Sequence, residues 1–148
     1  MEIQLRNNHK KIAIVKTNLK KKIKRILDAL GCRSDCELSV LLVDDDEIRE
    51  LNKNYLNRDY ATDVISFSMH EGDFPELNDY MLGDVVVSLD NAKEYAEKKG
   101  VPFENEVLFL LIHGILHLTG YDHEREGSDA KAMKEKESEL YNMLVEEK

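Results

Sequence analysis

The chain has 148 residues, of which 42% are hydrophobic and 34% are charged, and its net charge is −9. The composition is that of a globular protein, and the length predicts a single domain over residues 1–148 that buries one core. No apolar run approaches the roughly 20 residues that cross a bilayer, and residues 1–5 lack the layout of a secretory signal. We therefore expect no membrane partner and a cytoplasmic location. The acidic balance argues against general adhesion to nucleic acid.

Positive charge is concentrated at the start of the chain. Residues 1–25 hold nine lysines and arginines and one acid, a local charge of +8, which leaves −17 for the rest. This basic pole is either a phosphate-facing patch or a solvated helix face. No aromatic residue interleaves with its lysines, so base stacking by this patch is not predicted. The basic pole consists of Arg6, Lys10, Lys11, Lys16, Lys20, Lys21, Lys22, Lys24 and Arg25.

Hydrophobic periodicity divides the chain into strands and helices that alternate irregularly. In chain order we predict a strand at 1–5, a helix at 17–30, a strand at 37–43, a helix at 44–55, strands at 64–69 and 82–89, and helices at 90–99, 102–118 and 128–145. Residues 12–15 are apolar and either extend the first strand or open the first helix. This order predicts an α+β domain, in which a small mixed sheet packs with helices around a central buried helix, 102–118.

Local signals predict two helix starts and one doubly buried strand. Thr17 or Asn18 is expected to cap the first helix, and Asp90 or Asn91 the third, because their side-chain oxygens can accept a hydrogen bond from a first-turn N–H. The contiguous apolar residues 40–43 predict a strand that is buried on both faces of the sheet.

Three of the five histidines lie in one segment of eleven residues that includes the end of the predicted central helix. They are His113, His117 and His123. The first two are four apart, so on a helix they share a face with Cβ atoms about 6 Å apart. Gly120 can adopt the left-handed conformation that ends a helix, which lets the chain bring His123 toward the same ion. Three imidazoles with a fourth position open predict one catalytic zinc ion per chain. The alternative is a set of core or capping histidines with satisfied hydrogen bonds.

The spacing H-x-x-x-H-x-x-G-x-x-H is also the metal-binding frame of the metzincin proteases. In those enzymes the general-base glutamate directly follows the first histidine. Here that position is Gly114. The ligand spacing is kept and the peptidase base is missing, so we predict a metal-dependent hydrolase without the usual proteolytic machinery. A metallopeptidase that takes its base from elsewhere is the chief rival.

Five further residues have two interpretations each. Glu137 lies on the apolar face of the last helix and either supports a ligand histidine or belongs to a plain buried ion pair. Asp63 and Asp84 lie at strand ends and either hold turns or line a cleft. Cys32 and Cys36 are interpreted as reduced thiols rather than a redox or metal pair, because no second Cys or His pair lies near them in the sequence.

Residues 113–123, H-G-I-L-H-L-T-G-Y-D-H, resemble the signature of the bacterial YbeY endoribonucleases at every defined position. The resemblance implies a single-strand-specific endoribonuclease that acts in ribosomal RNA maturation, at the 16S 3′ end, and in ribosome quality control. It also implies zinc held by the three motif histidines, with RNA and the ribosome as partners. Further matches lie at Leu51-Asn52 with Tyr55, at residues 62–67 and at residues 82–86.

The chain departs from the family near the expected RNA contacts. The family often has arginine directly after the tyrosine of its L-N-x-x-Y segment, where this chain has Leu56. Arg58, two positions later, is therefore the candidate for phosphate contact. Asp122 and Glu124 flank a predicted ligand and either relay protons or are supporting or surface carboxylates. A non-catalytic, zinc-stabilised ribosome-binding module is the other alternative, and the sequence does not indicate the oligomeric state.

Overall fold

The computed structural model describes residues 1–69, 80–120 and 128–146, except the side chains of residues 128 and 129. The described elements are β1 (Glu2–Asn7), α1 (Lys16–Ala29), β2 (Glu37–Val43), α2 (Asp45–Leu56), β3 (Val64–Ser68), β4 (Met81–Ser88), α3 (Leu89–Lys99), α4 (Phe103–Leu118) and α5 (Ser128–Glu146). These strands form one mixed sheet in the order β1-β2-β4-β3. β1, β2 and β4 are parallel, and β3 is antiparallel to β4. The predicted α+β fold is confirmed.

The inner face of the sheet packs against α1 and α4, and α5 lies against α4. α4 is buried along most of its length, as predicted for the central helix. Burial of each Val, Leu or Ile side chain contributes about 1.5–3 kcal/mol. Its buried apolar side chains are Val107, Leu108, Leu110, Leu111, Ile112, Ile115, Leu116 and Leu118. Among the described residues, no single helix has the length and apolarity to cross a membrane, and α3 with α4 passes that test only as a pair bent by 117°.

The outer face of the sheet is covered only in part, by α2. Ile48 of α2 packs against a small second cluster of Val43, Ile65 and Val86. Leu41 of β2 is only half-buried. The prediction that residues 40–43 are buried on both faces is therefore wrong at Leu41, because α2 does not reach across the whole outer face.

The start of α1 differs from the prediction. Val15 occupies the N-cap position, without a side-chain hydrogen bond to the helix, so neither Thr17 nor Asn18 caps it. Residues 12–15 form neither a strand nor a helical turn. α1 is stabilised by its buried face, as expected for helices of this length, rather than by a polar cap.

A polar network holds the N-terminus of α3. The Ser88 hydroxyl accepts a hydrogen bond from the Asn91 N–H at 3.1 Å, so Ser88 caps the helix in place of the predicted Asp90 or Asn91. Asp90 instead accepts from His9 Nε2 at 2.8 Å and from the Asp45 N–H at 2.9 Å. Partial desolvation raises the pKa of Asp90, but these hydrogen bonds outweigh it, so the pKa lies below its usual value.

We expect Asp90→Asn to destabilise the protein at pH 7, because it weakens the hydrogen bonds that the carboxylate accepts from His9 and Asp45. The loss should be only about 1 kcal/mol, because the carboxylate is partly exposed and solvent screens these hydrogen bonds. The folded pKa is lower than the unfolded pKa. The stabilisation is therefore present above the unfolded value and is lost as pH falls through the folded value. Urea denaturation in steps from pH 7 to pH 3 should show that the difference in unfolding free energy between the variant and wild type decreases as the pH falls. Asp35→Asn, which removes the partner of Arg33 in an exposed ion pair, is the control. A difference that stays constant down to pH 3 would contradict this assignment.

An ion pair with one buried partner joins α3 to α4. The Glu106 side chain is 3% exposed and that of Lys99 is 48% exposed, and Lys99 Nζ contacts the two carboxylate oxygens at 2.6 and 2.9 Å. The same ammonium lies 4.7 Å from the centroid of the Phe109 ring. Removal of the cation would leave a carboxylate buried without its partner, which is far more unfavourable than the loss of an exposed pair.

Lys99→Ala is accordingly expected to lower the free energy of unfolding by about 2 kcal/mol, less than for a fully buried pair because the Lys99 side chain is half-exposed. The neighbouring Lys98 is the matched control, since it pairs with Glu94 where both side chains are more than 60% exposed. Lys98→Ala should change stability by about 0.5 kcal/mol or less. Urea denaturation of both variants measures the difference, and Glu106→Gln should recover part of the loss in the Lys99→Ala background. Equal effects of the two lysine substitutions would refute the dependence of the buried Glu106 carboxylate on Lys99.

Candidate functional site

His113 and His117 lie on the last two turns of α4 and share one face of the helix. Their Nε2 atoms are 3.2 Å apart. The ring centroids are separated by 4.8 Å, and the ring planes are inclined by 75°. Both residues are half-buried, although most of their neighbours on α4 are fully buried. The two imidazoles therefore direct one nitrogen each toward a common, partly accessible point.

Glu137 of α5 fixes the orientation of His113. The distance from His113 Nδ1 to Glu137 Oε2 is 2.8 Å, and the side chains are 26% and 14% exposed. An ionised carboxylate can only accept, so this contact favours the tautomer with the proton on Nδ1, in which Nε2 is available to a ligand. Glu137 thus pairs with a histidine of the motif. This contact between α4 and α5 is the usual way in which a protein orients a metal-binding imidazole.

The geometry of the histidine pair fits a tetrahedral zinc ion. Two nitrogens at zinc–nitrogen bond lengths of about 2.0–2.1 Å and a tetrahedral angle lie about 3.3 Å apart. The observed Nε2–Nε2 distance is 3.2 Å. Within residues 1–69, 80–120 and 128–146, no group of three His, Cys, Asp or Glu side chains is placed to hold a metal. The predicted third ligand, His123, lies outside the described residues, as do Asp122 and Glu124.

Gly120 occupies the position predicted to end the helix. α4 ends at Leu118, Thr119 is its C-cap residue, and Gly120 has a positive φ of 102°. A residue with a Cβ adopts this conformation only with strain. The helical conformation therefore ends before Gly120, as predicted from the sequence.

Gly114 lies on the side of α4 that packs against the sheet. A Cβ at this position would lie 2.7 Å from Val85 Cγ1, 3.1 Å from Ser66 Oγ and 3.2 Å from Val64 Cγ2. The Ser66 hydroxyl also donates to the Gly114 carbonyl at 2.8 Å. Glycine is thus required for the close approach of α4 to β3 and β4. The position at which metzincins carry their glutamate has no room here for a side chain.

Among the described residues, Arg58, Asp63 and Asp84 have contacts with parts of the molecule other than the histidine pair. Arg58 is exposed just beyond α2, where its N–H donates to the Asn52 carbonyl at 3.2 Å. Asp63 accepts from the Val64 N–H at 2.8 Å and from the Thr62 hydroxyl, so it holds a turn. Asp84 lines a groove on the outer face of the sheet.

Comparison with known proteins decides the family. The family model described as Endoribonuclease YbeY matches residues 4–145, nearly the whole chain. The chain belongs to the YbeY family. The resemblance predicted from the histidine motif is confirmed at this level, and the metal and the site residues stay predictions.

Individual relatives match this chain over most of their length. The Endoribonuclease YbeY of Geobacter metallireducens is 47% identical over 148 residues, which cover 99% of this chain and 98% of the relative. That of Syntrophus aciditrophicus is 43% identical over 145 residues, 97% of this chain and 90% of its own. The solution structure of a Thermotoga maritima protein, 35% identical, superimposes with a TM-score of 0.67 over 96% of this chain and 88% of its own.

A cavity of about 480 Å³ lies beside the histidines of this YbeY-family chain. His117 lines it together with Cys32, Cys36, Ser68 and Thr119. Burial, with a smaller contribution from the neighbouring thiol, raises the pKa of Cys32 to about 11. The thiol is therefore protonated and a poor nucleophile at neutral pH. Sequence reasoning missed this arrangement, because the cysteines are more than 80 residues from His117 along the chain.

Proposed function

We propose that this chain is a zinc-dependent, single-strand-specific endoribonuclease that acts in ribosomal RNA maturation, at the 16S 3′ end, and in ribosome quality control. The observation that carries the proposal is the convergent pair of Nε2 atoms at 3.2 Å, with Glu137 on the opposite nitrogen of His113. Membership of the YbeY family supports the choice of RNA as substrate. The ribosome is the proposed partner, and the cytoplasm the proposed location.

His113, His117 and His123 are the proposed ligands of one zinc ion per chain. When bound, zinc supplies a Lewis acid that polarises a phosphoryl oxygen and activates water at neutral pH. Glu137 holds the proton on His113 Nδ1 and thereby keeps Nε2 in its ligating state.

Three further residues have proposed roles around the scissile phosphate. Arg58 has an exposed guanidinium, which suits contact with the RNA backbone. Asp122 and Glu124 flank the third histidine in the sequence and are candidates for proton transfer. Whether water or the ribose 2′-hydroxyl attacks phosphorus decides which proton they would move.

The decisive experiment couples a zinc assay to RNA cleavage. Purified protein should contain one zinc per chain and cut single-stranded RNA but not the same sequence in a duplex. EDTA should abolish cleavage, and added zinc should restore it. Stoichiometric zinc with casein cleavage and no RNA cleavage would favour the metallopeptidase. Zinc and ribosome association without any RNA cleavage would favour the binding module.

Glu137→Gln is expected to weaken zinc binding by about 10- to 100-fold, because a charge-assisted hydrogen bond that orients a ligand histidine is replaced by a weaker neutral one. Competition with a chromophoric chelator measures the affinity. Glu139→Gln is the matched control, since its carboxylate is 67% exposed on the same helix and pairs with Lys136. Equal zinc affinities of the two variants would show that Glu137 does not support a ligand.

A further inference from the structure

A groove of about 1010 Å³ crosses the outer face of the sheet, in the part that α2 leaves open. Strand register places its side chains in rows that run from β1 to β3. At a strand spacing of about 4.8 Å, each row is roughly 14 Å long. The first row is Gln4, Ser39, Asp84 and Phe67, and the second is Arg6, Leu41 and Val86 and ends at Ile65, which is buried in the cluster with Ile48 of α2.

Two aromatic rings stand at the β3 side of this groove. Tyr55 of α2 is 68% exposed, and its ring meets that of Phe67 edge-on at a centroid distance of 5.8 Å. Both residues line the groove together with Arg6 and Lys20. No aromatic residue interleaves with the lysines of the basic pole in the sequence, but in the fold Tyr55 and Phe67, which come from other elements, line the same groove as Arg6 and Lys20.

The β1 side of the groove continues into the basic pole. Lys16, Lys20 and Lys24 recur every four residues and lie along one side of α1. The first turn of α1 contains no acidic residue. Lys16 lies in the first turn and opposes the helix dipole, and none of the three lysines lies in the last turn, where a cation would stabilise the helix. A row of cations that does not serve the stability of α1 suits an anion that arrives from outside.

The groove is not uniformly positive. Glu2 and Asp84 also line it, so its four charges balance. Phosphates would be confined to the side of Arg6 and Lys20. Asp84, at the centre of the first row, can accept hydrogen bonds from base amino groups or from a ribose hydroxyl. This division of charge suits a flexible nucleic-acid strand whose phosphate backbone lies on one side and whose bases lie on the other.

We propose that this groove binds single-stranded RNA, with bases stacked on Tyr55 and Phe67 and phosphates on Arg6 and Lys20. The inference rests on the proposed function and names a second contact surface for the same substrate. Aromatic platforms next to cations are the usual means of holding unpaired nucleotides without strong sequence preference. A duplex is a poor occupant, because its bases are already stacked within the helix.

Fluorescence anisotropy of a labelled 2′-O-methyl RNA 12-mer with the zinc-loaded protein tests the stacking. Tyr55→Ala should weaken binding by at least about 5-fold, the lower end of the effect of one lost stacked base. Tyr55→Phe should restore affinity, because the ring remains. Tyr60→Ala is the matched control, since Tyr60 is 52% exposed and does not line the groove. Circular dichroism checks that each variant is folded.

The salt dependence tests the phosphate contact. Arg6→Ala should reduce the slope of log affinity against log salt by about 0.7, the value for one phosphate on a single strand. Lys134→Ala, which removes an exposed charge on α5, should leave the slope unchanged. If Tyr55→Ala and Arg6→Ala bind the RNA like wild type, the groove proposal is overturned, and a protein segment becomes the occupant to test. Groove-dependent binding without cleavage would instead overturn only the nuclease assignment.

Discussion

Alanine in place of His117 is expected to remove zinc from the protein and to reduce cleavage of single-stranded RNA by more than about 100-fold. Loss of an outer partner of a ligand alone costs about 10- to 100-fold in metal affinity or activity, so loss of a ligand should cost more. Zinc content by atomic absorption and cleavage of a labelled RNA measure the two effects. His113→Ala and His123→Ala should behave in the same way.

His9→Ala is the matched histidine control for this prediction. His9 Nδ1 accepts from the N–H groups of Lys11 and Ile12 at 3.1 and 3.0 Å, and Nε2 pairs with Asp90. Its loss should lower the melting temperature but leave zinc stoichiometry and cleavage unchanged below that temperature. His117→Ala should instead lose zinc and cleavage even at temperatures at which it is fully folded. A His117→Ala protein that keeps one zinc per chain would exclude the histidine pair as the metal site.

The histidine helix was predictable because its signals are local. The apolar pattern of α4, its end at Leu118 and the positive φ of Gly120 follow from residues within one segment. Membership of the YbeY family followed from the same segment. The convergence of two imidazoles at i and i+4 also follows from helix geometry alone.

Contacts between distant segments were not predictable. The sequence left support of a ligand histidine and a plain ion pair open for Glu137, and only the fold shows that it reaches His113, 24 residues away, and that Tyr55 and Arg6 line one groove. The prediction of the N-cap residue of α3 was wrong for a related reason. Asp90 has a good capping side chain, but it binds His9, 81 residues away, and leaves the cap to Ser88.

The two proposals about RNA depend on different parts of the molecule. The histidine pair lies on α4, which packs on the inner face of the sheet. The groove lies on the outer face, between α2 and the basic pole. Substitutions at Tyr55 should therefore change RNA affinity without changing zinc content, and substitutions at His117 should change zinc content. Because the two surfaces are separate, RNA cleavage and RNA binding can be measured independently.

Gly114→Glu, which restores the metzincin sequence, is expected to unfold the protein rather than to create a peptidase. The new side chain would enter the interface between α4 and the sheet, where a Cβ would already lie 2.7 Å from Val85 Cγ1. A carboxylate buried there without a partner adds a further penalty, and we expect a total loss above about 4 kcal/mol. Urea denaturation and a casein assay measure the two outcomes.

Gly114→Ala separates packing from charge. The added methyl group should cost about 1–3 kcal/mol through overpacking, offset by about 1 kcal/mol from better helix propensity. Val85→Ala makes room at the same contact, so the double variant should be less destabilised than the sum of the single variants by about 0.5–3 kcal/mol. Additive effects would mean that Gly114 and Val85 do not touch. A stable Gly114→Glu protein that cuts casein would mean that position 114 faces the metal. In that case the fold could accommodate a peptidase glutamate, and this chain would simply lack one in its sequence.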